Sequence, residues 1–226
     1  MIATLACLFG IADPATYLLP LVREMEKAWP GNRTVTVVCH GHSVPAGYFV
    51  TPDVRTFDAY PHLLHEALKK RFPLAVVNVV VTAIGGEDSV SGAARFTRDV
   101  LPLRPDLVTV DYALNDRGAG LAKAKEAWVS MVRAAKAAGA KVLLLTPTPD
   151  QRSNLLDEAD PLSQHAAQVR EIAAEEEVGL CDPYARFQAI ARRGPYKPYM
   201  SQVNHPNRAG HEIVLQELER WFPRSR

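Results

Sequence analysis

Five short apolar runs rich in β-branched residues recur along the chain: Thr34–Cys39, Ala75–Thr82, Leu107–Tyr112, Lys141–Thr146 and Val178–Asp182. Their hydrophobicity is nearly continuous, as expected of strands covered on both faces. Longer stretches of helical spacing lie between them. Tyr60, Leu63, Leu64, Ala67 and Leu68 share one face, Ala127, Trp128, Met131, Val132 and Ala135 a second, and Ala166, Val169, Ile172 and Ala173 a third. Gly139 stands where the second of these helices should stop.

Strands alternating with helices predict a five-stranded parallel sheet with right-handed crossovers and helices on both faces. An extra helix is expected over roughly 14–29, inside an N-terminal extension of residues 1–33. No repeat, low-complexity tract or polar linker divides the chain, so all 226 residues read as one domain.

Charge changes the picture by exclusion. Lys plus Arg number 26 and Asp plus Glu 25, giving a formal net charge of +1. This balance offers no electrostatic footprint for nucleic acid. Three cysteines, Cys7, Cys39 and Cys181, form no CxxC pair, so neither a metal site nor a disulfide framework is expected. Cys39 and Cys181 read as small core residues. No apolar stretch is long enough to span a bilayer. Residues 1–12 are apolar but lack a basic n-region. The chain as it stands reads as cytoplasmic, and as secreted or periplasmic if that segment is a signal remnant.

In parallel sheets of this kind, ligands bind beyond the carboxyl ends of the strands. Those ends carry His40-Gly41-His42-Ser43, Ile84-Gly85-Gly86-Glu87, Asn115-Asp116-Arg117 and Pro147-Thr148-Pro149-Asp150. Gln202-Val203-Asn204-His205-Pro206 precedes the last helical stretch. Each feature alone is ordinary: a serine after a strand caps a helix, Gly-Gly makes a turn, and His-Pro enters a helix. Their succession at strand ends is what signals chemistry. Ester cleavage needs a hydroxyl activated by a base, a proton returned to the leaving alcohol, and donors for an oxyanion. Ser43 and His205 supply the first two requirements. The Ser43 and Gly86 N–H groups and the Asn115 amide supply the third.

These blocks resemble the SGNH/GDSL hydrolase superfamily from about Thr34 to Phe222. Gly41-His42-Ser43 is similar to the family's Gly-Asp-Ser, Gly85-Gly86 to its second-block glycine, Ala113-Leu114-Asn115-Asp116 to Gly-x-Asn-Asp, and Gln202-Val203-Asn204-His205-Pro206 to Asp-x-x-His-Pro. The resemblance implies a flavodoxin-like three-layer α/β/α sandwich, with Ser43 as nucleophile and His205 as base. It implies an oxyanion hole of Ser43, Gly86 and Asn115, no metal or organic cofactor, and a small-molecule ester as substrate. The expected activity is removal of a small acyl group, such as acetyl from a carbohydrate. A lysophospholipase or thioesterase, and a ligand-binding domain of feeble activity, are the alternatives.

The pattern departs from the family at three places: His42, Ala113 and Gln202, the last standing where the triad acid belongs. Three arrangements remain open. A main-chain carbonyl could orient His205, Asp182 could substitute as the acid, or catalysis is weak. Gln202 itself could accept from the imidazole without supplying charge. His42, Tyr48, Asp116 and Arg117 are candidate substrate contacts, with Asp116 also read as a brace for the loop carrying Asn115. Phe49 and Arg55 are further pocket candidates. His211 is a rival base, and Trp128 and Trp221 read as core.

Overall fold

Side chains alternate between the two faces of the sheet and sort the core into two layers. In the computed structural model, which describes residue 10 and residues 12–223, the strands are β1 (Thr34–Gly41), β2 (Val76–Val81), β3 (Leu107–Asp111), β4 (Lys141–Leu145) and β5 (Gly179–Cys181). All pair in parallel, in the order β2-β1-β3-β4-β5. Successive side chains point to opposite faces of a strand. Thus Val35, Val37, Cys39, Leu143 and Leu145 enter one cluster, and Val38, Val108, Val110, Val142 and Leu144 enter the other.

Among the described residues, eight α-helices cover the sheet: α1 (Leu19–Met25), α2 (Ser43–Ala46), α3 (Tyr60–Arg71), α4 (Ser89–Asp99), α5 (Leu121–Ala137), α6 (Pro161–Glu175), α7 (Pro183–Ala191) and α8 (Arg208–Glu219). The first cluster draws on α1, α3, α7 and α8, and the second on α4 and α5, while α6 contributes to both. This is a three-layer α/β/α fold with the flavodoxin-like strand order, whose crossovers leave a crevice at the carboxyl edge. Trp128, Trp221, Cys39 and Cys181 are buried in the core.

Two expectations are corrected. The N-terminal helix is shorter than 14–29. Asp13 organises residues 13–17 into a turn, accepting from Ala15 N–H through its side chain and from Thr16 and Tyr17 N–H through its carbonyl. Pro20 then fixes the first turn of α1. The second apolar run is also not covered on both faces: β2 is an edge strand and exposes Val76 and Val81. Cys7 and most of the possible signal segment lie outside the described residues. Among the described residues, no helix is long and apolar enough to cross a membrane.

Candidate active site

β1 ends at Gly41, where a Cβ would meet the Asp111 carbonyl at 2.5 Å and the Pro45 ring at 2.7 Å, so only glycine fits. The chain then turns into α2, and Ser43 is its first residue. His42 caps this short helix by accepting from Val44 N–H at 3.2 Å. The turn lifts Ser43 to the carboxyl edge of the sheet. From the other end of the chain, the loop before α8 brings His205 to it. Ser43 Oγ and His205 Nε2 lie 3.0 Å apart, across 162 positions of sequence.

Both residues line a cleft of about 350 Å³ with Tyr48, Thr51, Gly85, Gly86, Asn115, Gln202 and Asn204. Tyr48 packs flat enough on Gly85 that a Cβ there would meet its ring at 2.8 Å. The same ring tilts toward His205, with centroids 5.9 Å apart. Gly86 has φ +83°, a left-handed conformation that a side chain would strain. Asn115 donates one amide hydrogen to the Glu87 carbonyl at 2.8 Å, which leaves the other free toward the cleft. Arg95 clamps the Glu87 carboxylate, at 2.6 Å, and steadies that loop from behind.

His205 Nδ1 has two neighbours: the Phe49 carbonyl oxygen at 3.1 Å and the Gln202 side-chain amide at 2.6 Å. For Nε2 to accept from Ser43, the ring proton must sit on Nδ1. That tautomer donates to Phe49. Gln202 Oε1 accepts from Thr51 N–H and its Nε2 faces Nδ1, so the amide accepts the ring proton only after a flip that gives up the Thr51 N–H bond. Thr51 meets the far side of the same amide through its N–H and its hydroxyl, each at 3.2 Å. Burial pushes the His205 pKa below the ordinary histidine value, and the nearby His42 acts the same way. The Phe49 hydrogen bond opposes both.

The Asp182 carboxylate, expected as a substitute acid, is engaged by other groups. It caps α7 at Ala185, accepts from Thr146 Oγ1 at 2.8 Å and pairs with Arg170 at 2.7 Å. Those contacts hold its pKa below the carboxylate norm despite burial. Three of the substrate-contact candidates are also placed elsewhere. His42 is completely buried beneath Ser43. Asp116, fully buried too, accepts from Ser89 N–H and Trp128 Nε1–H, each at 2.7 Å, and so joins α4 and α5 behind Asn115. Arg117 turns back to the Leu114 carbonyl and the buried Asp150, the latter at 2.6 Å. His211 is buried, accepts from Tyr60 N–H through Nδ1, and has its pKa pushed down to about 3. Expected as a rival base, it is engaged by Tyr60 and is not among the residues that line the Ser43 cleft. Arg55 stacks on Phe49, 3.7 Å from the ring centre, and of these candidates only Tyr48 faces the cleft.

Sequence reasoning missed Gln151 and the role of Arg117 and Asp150 in holding the two halves of the site in register. Arg117 bonds the Leu114 carbonyl, beside Asn115, and also Asp150. Gln151, next in the chain, donates to the Val203 and Gln202 carbonyls at 2.8 and 3.1 Å. Arg117, Asp150 and Gln151 thus tie the Asn115 loop to the His205 loop. The Phe49 carbonyl was equally hidden, because a main-chain acceptor leaves no residue-type signal.

A flavodoxin-like sheet whose carboxyl edge bears these four blocks defines an enzyme of the carboxylic ester hydrolase class. The chain belongs to the GDSL-like lipase/acylhydrolase family, whose model matches residues 39–213. Among solved structures, a point variant of Axe2, an acetyl xylan esterase from Geobacillus stearothermophilus, aligns with TM-score 0.71 and 22% identity over 83% of this chain and 94% of that one. A two-domain esterase active on acetylated mannans aligns with TM-score 0.71 and 22% identity over 91% of this chain and 52% of the other. The acetyl xylan esterase AlAXEase aligns with TM-score 0.69 and 21% identity over 82% and 98%. At these identities the likeness is one of fold. No curated protein matches the chain in sequence.

Proposed function

We propose that Ser43 and His205 act as a catalytic dyad that removes a small acyl group, acetyl above all, from a hydroxylated substrate such as a carbohydrate. The observation that carries this reading is the 3.0 Å contact between Ser43 Oγ and His205 Nε2. His205 takes the Ser43 proton as Oγ attacks the ester carbonyl carbon. The negative oxygen of the tetrahedral intermediate is met by the Ser43 and Gly86 N–H groups and the Asn115 amide. As the C–O bond breaks, His205 returns the proton to the departing alcohol. Water, deprotonated by the same base, then releases the acid from Ser43.

The Phe49 carbonyl and the Gln202 amide orient the imidazole in this scheme, and neither carries a charge. The small acyl group is supported by Tyr48, which narrows the cleft over Gly85. The acetyl esterases among the structural neighbours support it as well.

Incubation with a fluorophosphonate, beside a panel of p-nitrophenyl esters and acetylated saccharides, tests the reading. Labelling at Ser43, turnover falling with acyl length, and loss of both in Ser43→Ala are expected. Folded wild-type protein that neither labels nor turns over any ester would instead make this a ligand-binding member of the fold.

A further inference from the structure

Ser43 has an imidazole on either side. His205 Nε2 stands 3.0 Å from its Oγ, and His42 Nδ1 stands 3.4 Å from it. His42 is fully buried and its Nε2 has no hydrogen-bond partner. That nitrogen faces Asp111 Oδ1 at 3.4 Å, and Asp111 is 3% exposed. The Tyr60 hydroxyl donates to the other carboxylate oxygen at 3.3 Å. Because Nδ1 accepts from Val44 N–H, the ring proton lies on Nε2, toward the carboxylate. A buried N–H left just short of a buried carboxylate is costly. Hydrogen bonds in catalytic sites are often long before substrate binds and tighten afterwards.

We infer that His42 and Asp111 are positioning residues for ester cleavage: the pair locks the turn that carries Ser43 and sets a buried negative charge behind it. The inference rests on the Ser43–His205 dyad. When Ser43 gives its proton to His205, an imidazolium forms. The Asp111 carboxylate, poorly screened in the interior, favours that cation. The His42 Nε2–H closes on Oδ1 as the charge develops. The single proton in transit passes from Ser43 to His205 and on to the alcohol.

The other ionisable groups nearby are few. Tyr60, Cys39 and Tyr112 adjoin Asp111, and Asp116 and His205 adjoin His42. Burial raises the Cys39 thiol to about 12 and lifts both tyrosines, so these three stay neutral in the working range. Asp116, on the far side of His42, is also raised by burial.

Asp111→Asn and His42→Asn in the full chain test the inference, with p-nitrophenyl acetate turnover followed against pH. Asparagine at 42 can still cap Val44 but breaks the link to Asp111. Each variant is expected to lose about ten- to a hundredfold in kcat with little change in KM, short of the ~10⁴ lost with a directly bonded triad acid. The double variant should be no worse than the poorer single. In Asp111→Asn the acid limb of kcat/KM should move to lower pH by about half a pH unit, because the anion no longer favours protonated His205. Folded variants with wild-type kcat and an unmoved acid limb overturn the inference. If Asp111→Asn does not fold, the kcat-against-KM split of His42→Asn decides it. Failure of the dyad looks different: wild type itself would show neither turnover nor label.

Discussion

The Gln202 side-chain amide lies 2.6 Å from His205 Nδ1, the distance at which a triad carboxylate would hold the ring. The Phe49 carbonyl already orients the ring, and the missing element is charge. Gln202→Glu is nearly isosteric and adds that charge. It should raise kcat by at least about tenfold, a fraction of the ~10⁴ that a triad acid contributes in an intact site. It should also move the acid limb of the pH profile upward, since a carboxylate favours the imidazolium. A pH–rate series on the variant checks both effects, and an unmoved limb means that the new carboxylate does not reach Nδ1.

Asn115 is the one side chain among the three proposed oxyanion donors. Asn115→Ala should lower kcat by about a hundredfold or more, the usual loss for such a donor. Steady-state kinetics separates this from a binding role. A rise in KM with kcat intact would place Asn115 on the ground state instead.

Asp116 accepts from two buried donors, Ser89 N–H and Trp128 Nε1–H. Asp116→Ala strands both in the interior, so unfolding in urea should show a loss of about 2–4 kcal/mol. A midpoint within error of wild type would mean that water reaches these groups.

Stability should also fall in mild acid. Burial lowers the His40 pKa from 6.5 to about 4 and that of His211 from 6.5 to about 3. The unfolded chain binds these protons below about pH 6.5, while the folded chain refuses them until pH 4 or lower. Their contribution is complete above 6.5 and is lost as pH falls through that window. Each histidine adds a slope of about 1.4 kcal/mol per pH unit. Removing His211 as His211→Asn, whose amide oxygen can still accept from Tyr60 N–H, should flatten the curve of unfolding free energy against pH between 6 and 4. A curve parallel to wild type would contradict the assignment.

Much of this protein was decided locally, and the sequence shows it. Strand periodicity and the helical faces follow from which side chains avoid water, so β1, β3 and β4 appear within a residue or two of their expected bounds. Ser43, Gly86, Asn115 and His205 were legible because each sits where a strand or loop ends, in residue types that suit acyl transfer. Where expectation failed, the cause was not local. Nothing in the run from 75 to 82 marks it as an edge strand; that depends on which strands flank it. Asp182 has the right chemistry and the right strand end, yet Arg170 and Thr146 take its carboxylate.

Tertiary structure alone chose the partners. The Phe49 carbonyl reaches His205 across 156 positions, and Asp111 comes to face His42 only because β3 lies beside β1. A hydrogen bond needs distance and direction, and sequence carries neither for residues so far apart along the chain. Residue type set what each group can do, and the packing of the sheet and its two helical layers set which group it does it with.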